Sequence, residues 1–146
     1  MKKLIYLLIS LLFVNGVIQA KTLCDAVISG REEIVKDLLK AGADPSVADK
    51  WGRTPLYYAI SRGFRPIVQM LLETGKVDVN AKDSNNDGTM LHVAVEGGYD
   101  GIVEDLLKAG ADPSVASKYM DATPLQCATS RGFRSIVKML KTTEII

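Results

Sequence analysis

The chain repeats itself, and this internal repetition constrains its fold more than any other feature of the sequence. Residues 38–48 and residues 106–116 share the string Leu-Leu-Lys-Ala-Gly-Ala-Asp-Pro-Ser-Val-Ala. Residues 61–65 recur as residues 130–134, with the string Ser-Arg-Gly-Phe-Arg. The two spacings are 68 and 69 residues, so the chain contains two copies of a double unit. Self-similarity at a fixed period is typical of solenoids, in which small units stack in line and bury a shared core.

Each double unit divides again. A threonine, an alanine five residues later and a glycine nine residues later recur from Thr54, Thr89 and Thr123, which are spaced 35 and 34 residues apart. The same frame continues upstream to Ala26 and Gly30. We therefore expect four units, at residues 21–48, 49–82, 83–116 and 117–146. The first lacks the threonine and the last stops after its second helix, so we expect these two to be the caps of the array.

The order of residues inside a unit predicts two helices. Thr54 can cap free backbone amides and Pro55 suits the first helical position, so the first helix starts there. Gly63 suits the left-handed exit from that helix. Apolar residues at helical spacing predict a second helix over residues 66–73, closed by Gly75. The polar segment that follows is typical of a connector to the next helix pair.

These motifs resemble the ankyrin repeat, a β-turn and two helices marked by Thr-Pro-Leu-His-x-Ala. Residues 54–59 read Thr-Pro-Leu-Tyr-Tyr-Ala, residues 89–94 read Thr-Met-Leu-His-Val-Ala and residues 123–128 read Thr-Pro-Leu-Gln-Cys-Ala. The Ala-Gly-Ala-Asp strings at 41–44 and 109–112 are also similar to the family. The resemblance implies an all-α, four-unit solenoid and a non-catalytic role in protein–protein interaction.

Family members generally bind proteins through hairpin tips and the concave face of the first helices. The resemblance therefore implies that candidate contact residues lie at these positions; they are Trp51, Arg53, Arg62, Glu96, Tyr119, Met120 and Arg131. The aromatic residues among them favour an interface, because Trp, Tyr and Arg are the usual anchors. The alternative is that the two aromatic rings fold back onto neighbouring turns. Phe64 and Phe133 begin second helices, and we expect them to pack inside the array.

The sequence offers little for catalysis or metal binding. Residues 83–88 match the first half of a calcium loop, but the twelfth position, which must supply a glutamate, is Ala94. His92 is the only histidine, so we expect it to make structural hydrogen bonds near a helix start. No nucleophile–base pair or phosphate-binding glycine loop is present. We therefore expect no enzyme activity, no cofactor and no metal; an enzyme or small-molecule binder is the least favoured alternative.

The two cysteines are expected to be free. Cys24 lies in the first unit and Cys127 in the fourth, both on first helices. Packed helices lie about 8–10 Å apart, so three units separate the thiols by roughly 25–30 Å. A disulfide requires Cα atoms within about 7 Å. Both side chains are therefore predicted to be small buried hydrophobes.

Residues 1–20 have the pattern of a secretory signal peptide. Lys2 and Lys3 precede the apolar stretch Leu4–Val14, and a small residue, Ala20, ends the segment. The stretch is shorter than the roughly 20 residues that a spanning helix needs. We expect cleavage after Ala20 and a secreted or periplasmic protein. The alternative is a membrane anchor formed by an uncleaved segment.

Charge excludes one class of partner. The formal net charge of +1 becomes −1 when Lys2 and Lys3 leave with the signal peptide, so no strong field would attract nucleic acid. We expect an unidentified protein as partner, no small-molecule substrate, no stable membrane insertion after cleavage and a monomeric state. The alternative function is that of a passive structural or self-associating envelope scaffold.

Overall fold

The computed structural model describes residues 1–5, 16–84 and 87–144. Two sequence-based expectations fall partly outside these ranges. They concern most of the apolar stretch of the signal peptide and the centre of the segment at residues 83–88 that resembles part of a calcium loop.

Eight helices follow one another through residues 16–144, two in each unit. They are α1 Gly16–Ile28, α2 Glu32–Lys40, α3 Pro55–Ser61, α4 Arg65–Glu73, α5 Met90–Glu96, α6 Asp100–Lys108, α7 Pro124–Arg131 and α8 Arg134–Glu144. The first helices α1, α3, α5 and α7 stack in a row, and so do the second helices α2, α4, α6 and α8. The described residues contain no extended strand, only isolated antiparallel bridges in the third and fourth connectors. The predicted all-α solenoid is therefore confirmed.

The threonines begin the first helices as the sequence predicts. Thr54 Oγ1 accepts a hydrogen bond from the Tyr57 backbone amide at 3.2 Å, ahead of Pro55 at the first helical position. Thr123 and Gln126 form a reciprocal capping box, in which each side chain accepts a hydrogen bond from the other residue's amide. Both arrangements satisfy amides that have no partner inside the helix.

One helix start differs from the predicted position. The second helix of unit two begins at Arg65, one residue earlier than predicted. In the described residues, helix α1 continues through the predicted cleavage position after Ala20.

Small residues allow the first helices to approach one another. The recurring alanines are buried, with exposed fractions of 5% for Ala26 and 0% for Ala59, Ala94 and Ala128. They lie in one continuous core with the apolar faces of the second helices. A larger side chain at any of these positions would separate neighbouring units, since close-packed interiors tolerate little added volume.

An aromatic ring of one unit covers a glycine of the unit before it. Phe64 lies against Gly30, and Tyr99 lies against Gly63, where an added Cβ would be only 2.7 Å from the ring. The third pair is Phe133 on Gly98. The expectation that Phe64 and Phe133 pack inside the array is therefore confirmed.

Candidate functional site

The hairpin tip of unit two is a tightly hydrogen-bonded turn built around Asp49. Asp49 Oδ1 accepts from the amides of Trp51 at 2.8 Å and Arg53 at 3.0 Å. Asp49 Oδ2 accepts from the Tyr58 hydroxyl at 2.6 Å. Burial opposes ionisation of the Asp49 carboxyl, but these hydrogen bonds outweigh it and lower the pKa. The ionised carboxylate therefore holds the turn in one shape and fixes the backbone that carries Trp51.

The Trp51 side chain projects from this turn into solvent. It is 56% exposed, and the Lys50 ammonium lies 4.2 Å from the centre of its ring. The Trp51 carbonyl accepts a hydrogen bond from the Ser84 hydroxyl, which joins this tip to the next one. The alternative, in which the Trp51 ring folds back onto neighbouring turns, is wrong. The hydrogen bonds at this residue are made by its backbone, and more than half of the side chain is exposed.

The tip of unit four presents a second exposed ring. Ser117 donates its amide to the Ala122 carbonyl at 3.0 Å and closes the turn. Tyr119 at its apex is 81% exposed. Lys118 Nζ lies 3.6 Å from Asp87 Oδ2, and Lys82 Nζ lies 3.1 Å from the same oxygen. This shared carboxylate links the tips of units three and four in the way that Ser84 links units two and three.

Two of the candidate contact residues are less available than expected. Met120 is half-buried and packs against the hydrophobic core, so its prediction as an exposed apolar group is wrong. Arg53 is also half-buried, with its guanidinium 5.2 Å from the Tyr57 ring centre. Interaction with the Tyr58 hydroxyl raises the pKa of the Arg53 guanidinium. Met120 and Arg53 therefore stabilise the turns from inside and present less of their surface to a partner.

The remaining candidates lie at the carboxyl-terminal ends of first helices, on the face that the family resemblance predicts to be concave. Arg62 and Arg131 are exposed, whereas Glu96 is half-buried. Arg131 Nη1 donates to the Glu96 carbonyl at 3.4 Å, so these two positions are adjacent on neighbouring units. Arg62 and Arg131 hold the same repeat position in units two and four, so the structure has two exposed arginines two units apart.

His92 has the structural role predicted for it. It is 1% exposed, and its Nδ1 accepts from the Thr89 amide at 3.1 Å. The other ring nitrogen, Nε2, lies 2.9 Å from the Ala122 carbonyl and donates to it when Nδ1 accepts. The ring therefore caps its own helix and joins unit three to the connector of unit four.

The cysteines are free and buried, as predicted. Burial raises the pKa of the Cys24 thiol to about 11 and also raises the pKa of the Cys127 thiol. Nucleophilic cysteines need a lowered pKa, so neither environment favours a thiolate. Within the described ranges, no cluster of three or more His, Cys, Asp or Glu side chains is arranged to hold a metal ion. Among the same residues, no helix has both the length and the apolar character to cross a bilayer.

Comparison with known proteins agrees with this architecture. A family model described as three copies of the ankyrin repeat matches residues 23–117. The chain is 30% identical to the nuclear factor NF-kappa-B p105 subunit of Gallus gallus, over 80% of its own length and 15% of that protein. It is 32% identical to the Drosophila melanogaster transient receptor potential channel pyrexia, over 76% of its own length and 15% of the relative. It is 42% identical to human NF-kappa-B inhibitor alpha over 60% of its length and 29% of that relative. The chain spans less than a third of each of these relatives.

Proposed function

The chain belongs to the ankyrin-repeat family, and from this premise we propose that it is a non-catalytic binder of another protein. Members of the family serve as protein-interaction modules, and the name of one relative, NF-kappa-B inhibitor alpha, describes an inhibitor of a protein. The partner of this chain is unidentified. Its proposed role is that of an adaptor, inhibitor or effector that recognises a protein surface.

The observation that carries the proposal is the pair of exposed rings on rigid turns. Trp51 and Tyr119 are large apolar side chains that the fold leaves in water, at a cost in hydration free energy. Their turns are held by hydrogen bonds and linked through the tip of unit three, so little backbone entropy of the turns remains to be lost on binding. Pre-organised aromatic residues of this kind are the commonest hot spots of protein interfaces.

Charge around the rings defines the partner surface further. Lys50 and Lys118 flank the two rings, and Arg62 and Arg131 are exposed at the ends of first helices. Lys118 and Lys82 share the Asp87 carboxylate, which offsets part of the positive charge at this tip and disfavours a nucleic-acid backbone as partner. We propose a protein partner with two apolar pockets and scattered carboxylates, and no nucleic acid or small-molecule substrate.

The proposal has no catalytic or cofactor component. Potential nucleophiles Cys24 and Cys127 are buried with raised pKa values, and His92 uses both ring nitrogens for structure. These observations support a binding role over the enzyme alternative.

We also propose that the protein is exported. The support is the basic, apolar and small-residue pattern of residues 1–20. Cleavage after Ala20 would shorten α1 but would leave its buried residues Leu23, Ala26 and Val27. Amino-terminal sequencing of exported material should give Lys21 as the first residue. Intact Met1 in a membrane fraction would favour the uncleaved anchor instead.

A passive scaffold is the second candidate function. In the binder proposal one chain engages its partner as a monomer, whereas a scaffold would work through contacts between copies. The exposed rings favour the binder, because scaffold assembly through the stacked ends of the array would not use the tips.

Capture and truncation test the binder proposal. Protein expressed from the full chain is used to capture partners from the exported fraction, and the partner's affinity is then measured. Trp51→Ala with Tyr119→Ala should weaken binding at least several hundredfold, since each anchor contributes about 2 kcal/mol or more. The melting temperature should barely move, because surface truncations change the unfolding free energy by about 0.5 kcal/mol or less.

Ile34→Ala is the matched control, because Ile34 is a large apolar side chain exposed outside the tips. It should leave partner affinity unchanged. Normal binding by the double variant would place the interface elsewhere and refute the proposed anchors.

A further inference from the structure

The two exposed rings stand on alternate tips, and the tip between them carries no ring. Trp51 follows Lys50 in unit two, and Tyr119 follows Lys118 in unit four. Unit three has Ser84 at the repeat position of these lysines, and its tip contains no aromatic side chain. The middle tip therefore differs in chemistry from its two neighbours, and its short polar side chains contact both of them.

Ser84 contacts the turn that carries Trp51. The Ser84 hydroxyl donates a hydrogen bond to the Trp51 carbonyl. Ser84 also lies against Gly52, where an added Cβ would be 3.3 Å from both Ser84 Cβ and Ser84 Oγ. Gly52 has φ +74°, a left-handed conformation that suits glycine. The backbone on the carboxyl-terminal side of Trp51 is therefore fixed by a residue of the next unit.

Asp87 contacts the turn that carries Tyr119. Its Oδ2 atom lies 3.6 Å from Lys118 Nζ, and Lys82 Nζ lies 3.1 Å from the same oxygen. The hydrogen bond from Lys82 and the charge of Lys118 lower the pKa of the Asp87 carboxyl. The group is therefore a carboxylate at neutral pH, and it joins the tip of unit three to the residue that precedes Tyr119.

A second contact from unit three lies at the base of the same turn. His92 Nε2 lies 2.9 Å from the carbonyl oxygen of Ala122, three residues after Tyr119. His92 is buried, whereas Asp87 is partly exposed. The turn is therefore attached to unit three on both sides of the Tyr119 ring, by a buried hydrogen bond on one side and by an ion pair on the other.

The backbone of Asp87 has a conformation that its own tip must maintain. Its φ is +52°, in the left-handed region that residues other than glycine seldom adopt. The Asp87 amide donates to the Asp83 carbonyl at 2.9 Å, and the Asp83 amide donates to the Gly88 carbonyl at 2.8 Å. An unfavourable backbone conformation persists where surrounding bonds maintain it. These bonds therefore keep the carboxylate where Lys118 reaches it.

We propose that unit three positions both rings for the partner: Ser84 fixes the turn of Trp51, and Asp87 fixes the turn of Tyr119. The inference rests on the proposed function, in which the two rings contact the partner. Ser84 and Asp87 act through the turn backbones, so they are positioning residues and need no contact with the partner. Fixing the turns before binding removes part of the entropy that binding would otherwise cost. A partner whose two pockets match the spacing of the rings is therefore favoured over one that needs another spacing.

Backbone dynamics of the free protein test this inference. The ¹⁵N order parameters of Trp51 and Tyr119 are measured in protein expressed from the full chain, where about 0.85 indicates a rigid backbone. Asp87→Asn removes the charge and keeps a side chain that tolerates a left-handed backbone. It should lower the order parameter of Tyr119 toward the roughly 0.6 of a flexible segment and leave that of Trp51 unchanged. Ser84→Ala should have the opposite pattern.

Asp121→Asn is the matched control for Asp87→Asn. Asp121 also has a left-handed backbone, with φ +46°, and it lies in the same turn as Tyr119. Within the described part of the chain it has no ion pair. The control should leave the order parameters of Trp51 and Tyr119 unchanged. The melting temperatures of the variants should stay close to that of the wild type, because exposed polar contacts contribute little to the unfolding free energy.

Unchanged order parameters in Asp87→Asn and Ser84→Ala would overturn the inference. So would an equal fall in the Tyr119 order parameter with Asp121→Asn, since any loss of charge at this tip would then loosen the turn. For a captured partner that needs the rings, each positioning variant should weaken binding about threefold, far less than loss of the rings. Mobile turns combined with an affinity that does not depend on Trp51 and Tyr119 would refute the anchors of the proposed function and not the positioning of the turns.

Discussion

Two regions of the molecule share the string Ser-Arg-Gly-Phe-Arg and differ in what surrounds it. At residues 61–65 the glycine lies under Tyr99 and the last arginine is paired with Asp105. At residues 130–134 the glycine has no neighbour within 4 Å and the arginine borders an open groove. Identical residues therefore contribute to stability in one place and form an exposed surface in the other. The position of the unit in the stack decides which of these two roles the residues have, and the five-residue string alone cannot specify that position.

The largest expected effect separates the inner stack from the tips. Ala94 is fully buried between units, so Ala94→Arg would overpack the stack and bury an unpaired charge, at a cost of several kcal/mol in unfolding free energy. Ser84→Arg adds the same side chain to an exposed tip and should cost much less. Urea unfolding of both variants measures the difference. Similar midpoints would show that the first helices do not pack through this position.

A smaller effect is expected from the paired glycines. Gly63 has φ +70° and Gly132 has φ +75°, so alanine at either position incurs a similar left-handed strain of about 1–2 kcal/mol. Gly63→Ala must also displace the Tyr99 ring, which adds roughly 1–3 kcal/mol. Gly132→Ala has no ring to displace. Equal losses of unfolding free energy in the two variants would contradict the finding that Gly63 is covered by Tyr99 while Gly132 is not covered.

The smallest expected effect comes from the paired arginines. Arg65→Ala removes a partly exposed ion pair between units and should lower the unfolding free energy slightly, whereas Arg134→Ala should have little effect on it. The hydrogen bonds from Arg65 lower the pKa of Asp105, so this stability is present above the ordinary aspartate pKa and is lost as pH falls through the lowered value. In thermal melts at successively lower pH, the wild-type advantage over Arg65→Ala should stay constant down to the ordinary aspartate pKa and shrink below it. A difference that does not change with pH would exclude Asp105 as the partner.

Much of the fold follows from short-range rules that a sequence displays directly. Thr54 and Thr123 cap helices through neighbouring amides, and the recurring alanines mark where helices approach. The functions of His92 and the cysteines also follow from residue type and spacing. These inferences need only the repeat frame and the chemistry of single residues.

The remaining features depend on contacts between units. The pairing of Arg65 with Asp105 joins two helices 40 residues apart, so the sequence of neither helix alone predicts it. Met120 was expected at an exposed tip, but the turn directs it onto the core. Trp51 and Tyr119 were placed correctly as exposed rings, whereas the half-burial of Arg53 depends on its contact with Tyr57. Such contacts follow from the geometry of stacking, which no single repeat specifies.

The four units stack in line, with aromatic rings covering Gly30, Gly63 and Gly98 and no ring near Gly132. Proton NMR shows whether a ring lies over each glycine and needs no substitution, because the ring current of an overlying ring shifts the glycine Hα resonances upfield. In dilute protein we expect upfield ring-current shifts for the Hα protons of Gly30, Gly63 and Gly98, which lie under Phe64, Tyr99 and Phe133, and an ordinary shift for Gly132. Unshifted resonances for the first three glycines, or a shared upfield shift that includes Gly132, would contradict the linear stack.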